Sequence, residues 1–152
     1  MAHPLVYTAL AVVVDQLTKH LARTLMSLHE SIPVLGSFFR LTYVENSGIA
    51  FGLNFRGGPT IFTIASFVAT FVILGYLWRV RDRQPSLKFS LALIAGGAVG
   101  NLIDRLLFGR VVDFFDFSVG GYHWPVFNVA DSCVTVGVIL FLYLSFLETS
   151  SS

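Results

Sequence analysis

Charge is scarce in this chain. Only 12% of its 152 residues are Asp, Glu, Lys or Arg, while 55% are hydrophobic; soluble domains carry about 25% charged residues. With a mean hydropathy of +0.74, an ordinary soluble globule is excluded and a membrane protein is expected. Basic runs are missing too: a net charge of +1 leaves no patch able to track a phosphate backbone, which excludes a nucleic-acid partner. Cysteine is nearly absent. Cys133 stands alone, so no internal disulfide can form, and in its apolar run it reads as a small packing side chain. Metal-ligand patterns are lacking: His3, His20, His29 and His123 are scattered and no H-E-x-x-H occurs. Ser132 adjoins Asp131, but nothing marks a serine triad. No internal repeat is present, and the closing TSSS is the one low-complexity stretch.

What is present is long apolar runs. Thr60 to Trp78 is nineteen residues without a charge; at about 1.5 Å per residue such a helix nearly spans a hydrocarbon core of roughly 30 Å. Further runs cover about 87–107 and 129–147. A first segment, about 4–24, is interrupted by DQLTKH and spans only if Asp15 and Lys19 belong to the helix, where they share a face and can pair, acid before base. It lacks a basic start and a well-placed cleavage site, and reads as a retained helix rather than a signal peptide. Arg79, Arg81, Arg83 and Lys88 cluster around the connection 80–86, which the positive-inside rule places in the cytoplasm. Both termini are then cytoplasmic, and loops 25–59 and 108–128 lie outside. The first of these holds IPVLGSFFRLTYV, a strand-rich pattern with a bend at Gly36, from which Phe38 and Phe39 are expected to dip into the headgroups. Trp78 and Trp124 read as interfacial anchors.

Polar residues collect toward the outer end. Asn101 and Arg105 share a face of the third helix, Asn128 and Asp131 a face at the start of the fourth, and Asp15 and Lys19 lie toward the outer end of the first. Asn46 sits in the outer loop. Polar groups at membrane depth face other helices or a wet cavity. Singly, each has a plainer reading: Arg105 snorkelling to the interface, Asp15–Lys19 as a structural ion pair, Asn128 as a helix cap, Gly96 and Gly100 as a close helix contact. Asp104 and Asp116 read as solvated loop acids. Asp113 and Asp131, one in a loop and one at a helix start, remain as a candidate pair. Two carboxyl groups meeting in a poorly solvated site share one proton, which offers a base and an acid together and lets water attack a carbonyl directly. A small transporter or proton-relay protein is the alternative, since intramembrane acids also carry ions; a non-enzymatic scaffold is another.

DQLTK at 15–19, ENSGIAFG at 45–52, GGAVGNLIDR at 96–105, GRVVDFFDF at 109–117 and FNVADS at 127–132 together resemble lipoprotein signal peptidase, the bacterial signal peptidase II family, in order and spacing from about residue 5 to 147. The resemblance implies an all-α membrane protein of four transmembrane helices with a small extracytoplasmic β-sheet, a β-cradle, in the first outer loop and a flexible lid over the site. It implies an aspartic endopeptidase of the bacterial inner membrane, active near the periplasmic face. Such an enzyme removes the signal peptide from diacylglyceryl-modified prolipoproteins just before the lipidated cysteine. It implies Asp113 and Asp131 as catalytic acids, with Asp15, Lys19, Asn46, Gly48, Asn101, Arg105 and Asn128 binding substrate or supporting the dyad. No metal or other cofactor is implied. The partners are the lipid-modified substrate and membrane lipid, a monomer suffices, and antibiotics of the globomycin type block the family at the dyad. Ile49 departs from the family's usual Ala in this block.

Overall fold

A computed structural model describes residues 3–48, 58–80 and 84–150. The element order is α1 (Pro4–Leu25), β1 (Ser31–Leu35), β2 (Phe39–Asn46), α2 (Gly58–Arg79), α3 (Pro85–Phe108), β3 (Val111–Val119), β4 (Tyr122–His123) and α4 (Val129–Ser150). Ile49, and the part of loop one left for the expected lid, lie outside the described residues.

The helices start and stop where local chemistry dictates. Pro85 opens α3, a position where its missing N–H costs nothing, and Gly109 closes it in the left-handed region at φ 69°. The stretches Pro59–Arg79, Pro85–Phe108 and Val129–Leu147 are long and apolar enough to cross a bilayer. Their outer faces carry exposed Ile64, Phe67, Phe71, Ile139, Leu142 and Phe146, as lipid rather than water would require. α1 is equally long but carries Asp15, Gln16 and Lys19 and is less apolar. α3 is the central helix and touches the other three. It meets α2 through Leu77, Val80, Leu87, Leu91 and Ile94, with Phe141 of α4 packed alongside.

The expected small sheet is present, four antiparallel strands in the order β1-β2-β3-β4, but it is not confined to the first inter-helix connection. The segment 108–128, expected as a loop, supplies half of it: β3 pairs with β2, setting Val44 opposite Asp113 and Glu45 opposite Val112. The run VVDFFDFSV is rich in β-branched and aromatic residues, the pattern that fits a half-buried pleated surface. The sheet is therefore drawn from both inter-helix connections. Phe38 is exposed, whereas Phe39 stacks on Phe117 with ring centroids 4.7 Å apart and is half-buried.

Close helix packing rests on glycine. A Cβ on Gly97 would run into the Ala130 carbonyl and Val134 of α4, one on Gly96 into Ala11 of α1, and one on Gly100 into the Asp15 carboxylate. Gly75 on α2 meets nothing. Gly97→Ala should therefore lower the thermal unfolding midpoint in detergent, by the equivalent of about 1–3 kcal/mol of overpacking. Gly75→Ala should leave the midpoint level or slightly raise it, since Ala favours helix over Gly by up to about 1 kcal/mol. Equal midpoints for the two variants would contradict the packing described.

Candidate active site

The first turn of α4 is buried against α1, α3 and β3, so its free N–H groups need partners within the protein. Asn128, directly before the helix, accepts from the Asp131 N–H through Oδ1 at 2.9 Å. Asp131 reaches back, its Oδ2 accepting from the Asn128 N–H at 3.2 Å. This reciprocal pair is a capping box with aspartate in the acidic position. The Ala130 N–H donates to Asp15 Oδ1 of α1 at 2.9 Å. A carboxylate at a helix N-terminus also meets the positive end of the helix dipole.

The cap orients the Asn128 amide. With Oδ1 taken by the Asp131 N–H, Nδ2 points away, and it donates to Asp113 Oδ1 at 2.6 Å and to the Val112 carbonyl at 3.1 Å. Asn128 therefore holds both acids, one by its backbone and one by its side chain. Asn46 on β2 donates to Asp113 Oδ2 at 3.3 Å, while its Oδ1 accepts from the Gly48 N–H at 2.9 Å. Gly48 itself has φ 91°, a conformation favouring glycine, and a Cβ there would strike the Phe62 ring of α2.

A second amide is oriented by a cation. Lys19 has donors only, and its Nζ meets Asn101 Oδ1 at 2.8 Å, Asp15 Oδ2 at 2.9 Å and Asp104 Oδ2 at 3.2 Å. Asn101 must thus turn its oxygen to Lys19 and its Nδ2 to Asp131, where it donates to Oδ1 at 2.8 Å. The half-exposed Arg105 donates to the Asn101 carbonyl at 3.3 Å, and its charge acts on Asp131, Asp113 and Asp104. The nine residues expected at a site thus fall into one connected group. Among the described residues no buried side-chain nitrogen or oxygen lacks a partner.

Asp104 and Asp116 are not solvated loop acids. Asp104 lies on α3, fully buried, with Oδ1 meeting Arg23 Nη2 at 2.7 Å and Gln16 Nε2 at 3.3 Å. Its Oδ2 also accepts from the Val112 N–H at 3.2 Å. The signal was in the spacing: Gly97, Asn101 and Asp104 fall on one helix face, and Asp15, Lys19 and Arg23 recur at four-residue steps. Asp116 lies on β3, its Oδ2 accepting from the Thr42 hydroxyl at 2.7 Å and its Oδ1 meeting His123 Nδ1 at 3.0 Å. Burial pushes this carboxyl up, but the His123 and Thr42 contacts outweigh it and hold the acid below the usual range. Cys133 is half-buried and free. Trp78 and Trp124 are both exposed.

The family model for signal peptidase (SPase) II matches residues 7–147. The chain belongs to the signal peptidase II family. The lipoprotein signal peptidase of Symbiobacterium thermophilum is 50% identical to it over 145 residues, 95% of each chain. That of Desulforapulum autotrophicum is 49% identical over 140 residues, 90% of this chain and 86% of its own. A solved bacterial membrane enzyme superposes with a TM-score of 0.83 at 34% identity, covering 98% of this chain and 90% of that one. Signal peptidase II membership makes the protein a peptidase acting on lipoproteins.

Burial first, and then the charge of Asp131, push the Asp113 carboxyl up from the ordinary range to about 7; the Asn46 and Asn128 donors and Lys19 pull the other way. Asp113 is 3% exposed, whereas Asp131 is half-exposed. An acid raised on folding stabilises the folded state fully below its unfolded value, and that stability is lost as pH rises through the folded value. Asp113→Asn removes this ionisation. The variant's thermal midpoint, relative to the parent's, should therefore be several degrees more favourable at about pH 8.5 than at about pH 5. A midpoint difference independent of pH would contradict the assignment.

Proposed function

We propose that this chain is an aspartic endopeptidase that cuts diacylglyceryl-modified prolipoproteins just before the lipidated cysteine, with Asp113 and Asp131 as the reacting acids. The observation that carries the reading is Asn128, whose amide N–H and side-chain Nδ2 meet Asp131 and Asp113 respectively. Two carboxyl groups so close together in a poorly solvated site share one proton. Asp113, the more buried, holds it; Asp131, at the helix N-terminus, is the base.

The chemistry then balances in two steps. Asp131 takes a proton from water as the water oxygen bonds to the scissile carbonyl carbon, and Asp113 gives its proton to the carbonyl oxygen. A tetrahedral diol results without any acyl-enzyme. In the second step Asp131 passes its proton to the amide nitrogen, the C–N bond breaks, and a diol hydroxyl returns its proton to Asp113 as the acid product forms. Asn101 and Asn128 hold Asp131 by two N–H donors, and Asn46 and Asn128 hold Asp113 by two more. Arg105, beside both, is the group that meets the substrate backbone and the charge developing on it. Asp15 and Lys19 act at one remove, through the α4 N-terminus and the Asn101 amide. Gly48 keeps β2 close to α2 beside Asn46.

The protein would be a four-span inner-membrane protein with both termini in the cytoplasm. α1 supports this as the fourth span because Asp15 and Lys19 face inward and are fully buried, while Leu10, Val13, Val14, Leu17 and Leu21 cover its outside. Arg79 closes α2 and Lys88 lies near the start of α3, at the far end of these helices from the sheet, which supports acids near the periplasmic face. A substrate held by acyl chains must be cut at the lipid boundary, and that is where water and the acids would meet. One chain supplies every group in the scheme, which suits a monomer. Globomycin-type antibiotics would compete for the acids.

Asp113→Asn and Asp131→Asn should each reduce cleavage of a diacylated precursor by about 10⁴-fold or more, with folding and precursor binding largely kept. Purified variants incubated with diacylated and unmodified precursor, and products mapped by mass, provide the check. Full turnover by either variant would refute the dyad.

A further inference from the structure

The α1–α3 ion cluster has an unusual outlet. Lys19 and Arg23 on α1 both contact the Asp104 carboxylate, at 3.2 and 2.7 Å, and Gln16 adds a third α1 contact at 3.3 Å. One acceptor position of Asp104 serves no partner on α1: Oδ2 takes the backbone N–H of Val112 at 3.2 Å. Val112 is the residue directly before Asp113, and its carbonyl is bonded to Asn128 Nδ2. Both polar groups of this one peptide position are thus tied down, the N–H to α3 and the C=O to the α4 cap. The next β3 residues are also held, Phe114 and Phe115 each donating to the Phe127 carbonyl.

We propose that Asp104 is a positioning residue for the reaction: it anchors the start of β3 through the Val112 N–H and so sets where the Asp113 carboxyl stands relative to Asp131. This rests on the reading of Asp113 as a reacting acid. A buried carboxylate suits the task because both oxygens accept. Oδ1 faces Arg23 and Gln16, Oδ2 faces Lys19 and Val112, and all four are donors. An amide in its place would turn its NH₂ against donors on one side or the other. The Asp104 charge also offsets that of Lys19, which otherwise draws Asp113 toward its ionised form. The remaining charges acting on Asp113 are Asp131 on α4 and Arg105 on α3, while Asp15 on α1 faces Lys19.

The test is steady-state kinetics of the full-length protein in detergent–lipid micelles with a diacylated precursor peptide, alongside thermal unfolding. Asp104→Asn should lower kcat roughly 10- to 100-fold, as a misplaced reacting group does. KM should stay within about threefold, and the limb of the pH–rate profile set by Asp113 should move to lower pH because Lys19 is no longer offset. Arg23→Gln, which leaves the Val112 contact intact, should keep kcat within about threefold. Asp104→Glu restores the charge but displaces the Val112 contact; it should lose kcat without moving the pH profile, and it carries the test where the Asn variant does not accumulate. A kcat per folded molecule unchanged in both Asp104 variants, with only the unfolding midpoint lowered, would overturn the proposal. If Asp113→Asn is inactive while Asp104 variants are fully active, this proposal fails alone; if Asp113→Asn is fully active, the dyad reading fails with it.

Discussion

A helix N-terminus buried in the protein is the constraint from which the rest of the site follows. The N–H groups opening α4 cannot reach bulk water freely, and an unpaired buried donor costs about 1–3 kcal/mol. Asn128, Asp131 and Asp15 satisfy them. Satisfying the cap fixes which end of the Asn128 amide remains, and that end reaches Asp113. A local rule of helix termination thereby couples two acids eighteen residues apart in sequence. Lys19 does the same for Asn101, whose oxygen it occupies, leaving the NH₂ for Asp131. The two amides are set by a cap and an ammonium, and neither can flip without breaking a buried contact.

Burying Lys19, Asp15 and Asp104 together is costly unless the charges compensate. Here two acids face Lys19 and Arg23, and the polar atoms are paired. The small residues on α3 make this possible. Gly100 lets the Asp15 carboxylate lie against the helix backbone, and Gly97 admits the Ala130 carbonyl. The packing glycines and the polar cluster are therefore one device, a close three-helix contact that excludes water from one side of the acids. On the other side Asp131, Asn101 and Arg105 remain half-exposed. That gradient of burial leaves Asp113 the more deeply desolvated of the two, and burial raises its carboxyl.

The helical parts of this arrangement were legible from sequence because helical spacing is regular. Asp15 with Lys19, Asn101 with Arg105, and Asn128 with Asp131 stand at three- or four-residue steps, so their shared faces could be read directly, and their clustering at one end followed from the apolar runs. The strand was not legible as such. VVDFFDF carries two acids in a short run between turns, and without its partner β2 a loop was the simpler reading. The pairing that makes it a strand is with residues about seventy positions earlier, a distance over which local pattern carries no information. The burial of Asp104 is hidden for a related reason. Beside Arg105 at a helix end it looks solvated; its spacing from Gly97 and Asn101 puts it on the packed face, and the approach of α1, with Lys19 and Arg23, makes it a buried centre. Nothing local announces the stacking of Phe39 on Phe117 either.

The central claim is that Asp113 and Asp131 hold one proton between them at neutral pH. Infrared difference spectroscopy of the membrane-embedded protein, titrated with and without the Asp113 carboxyl, reads this directly. The account predicts one protonated-carboxyl band at about pH 6, fading as pH rises through about 7, and absent from the Asp113→Asn variant. A spectrum with no protonated carboxyl at about pH 6, or one unaffected by removing Asp113, would contradict it.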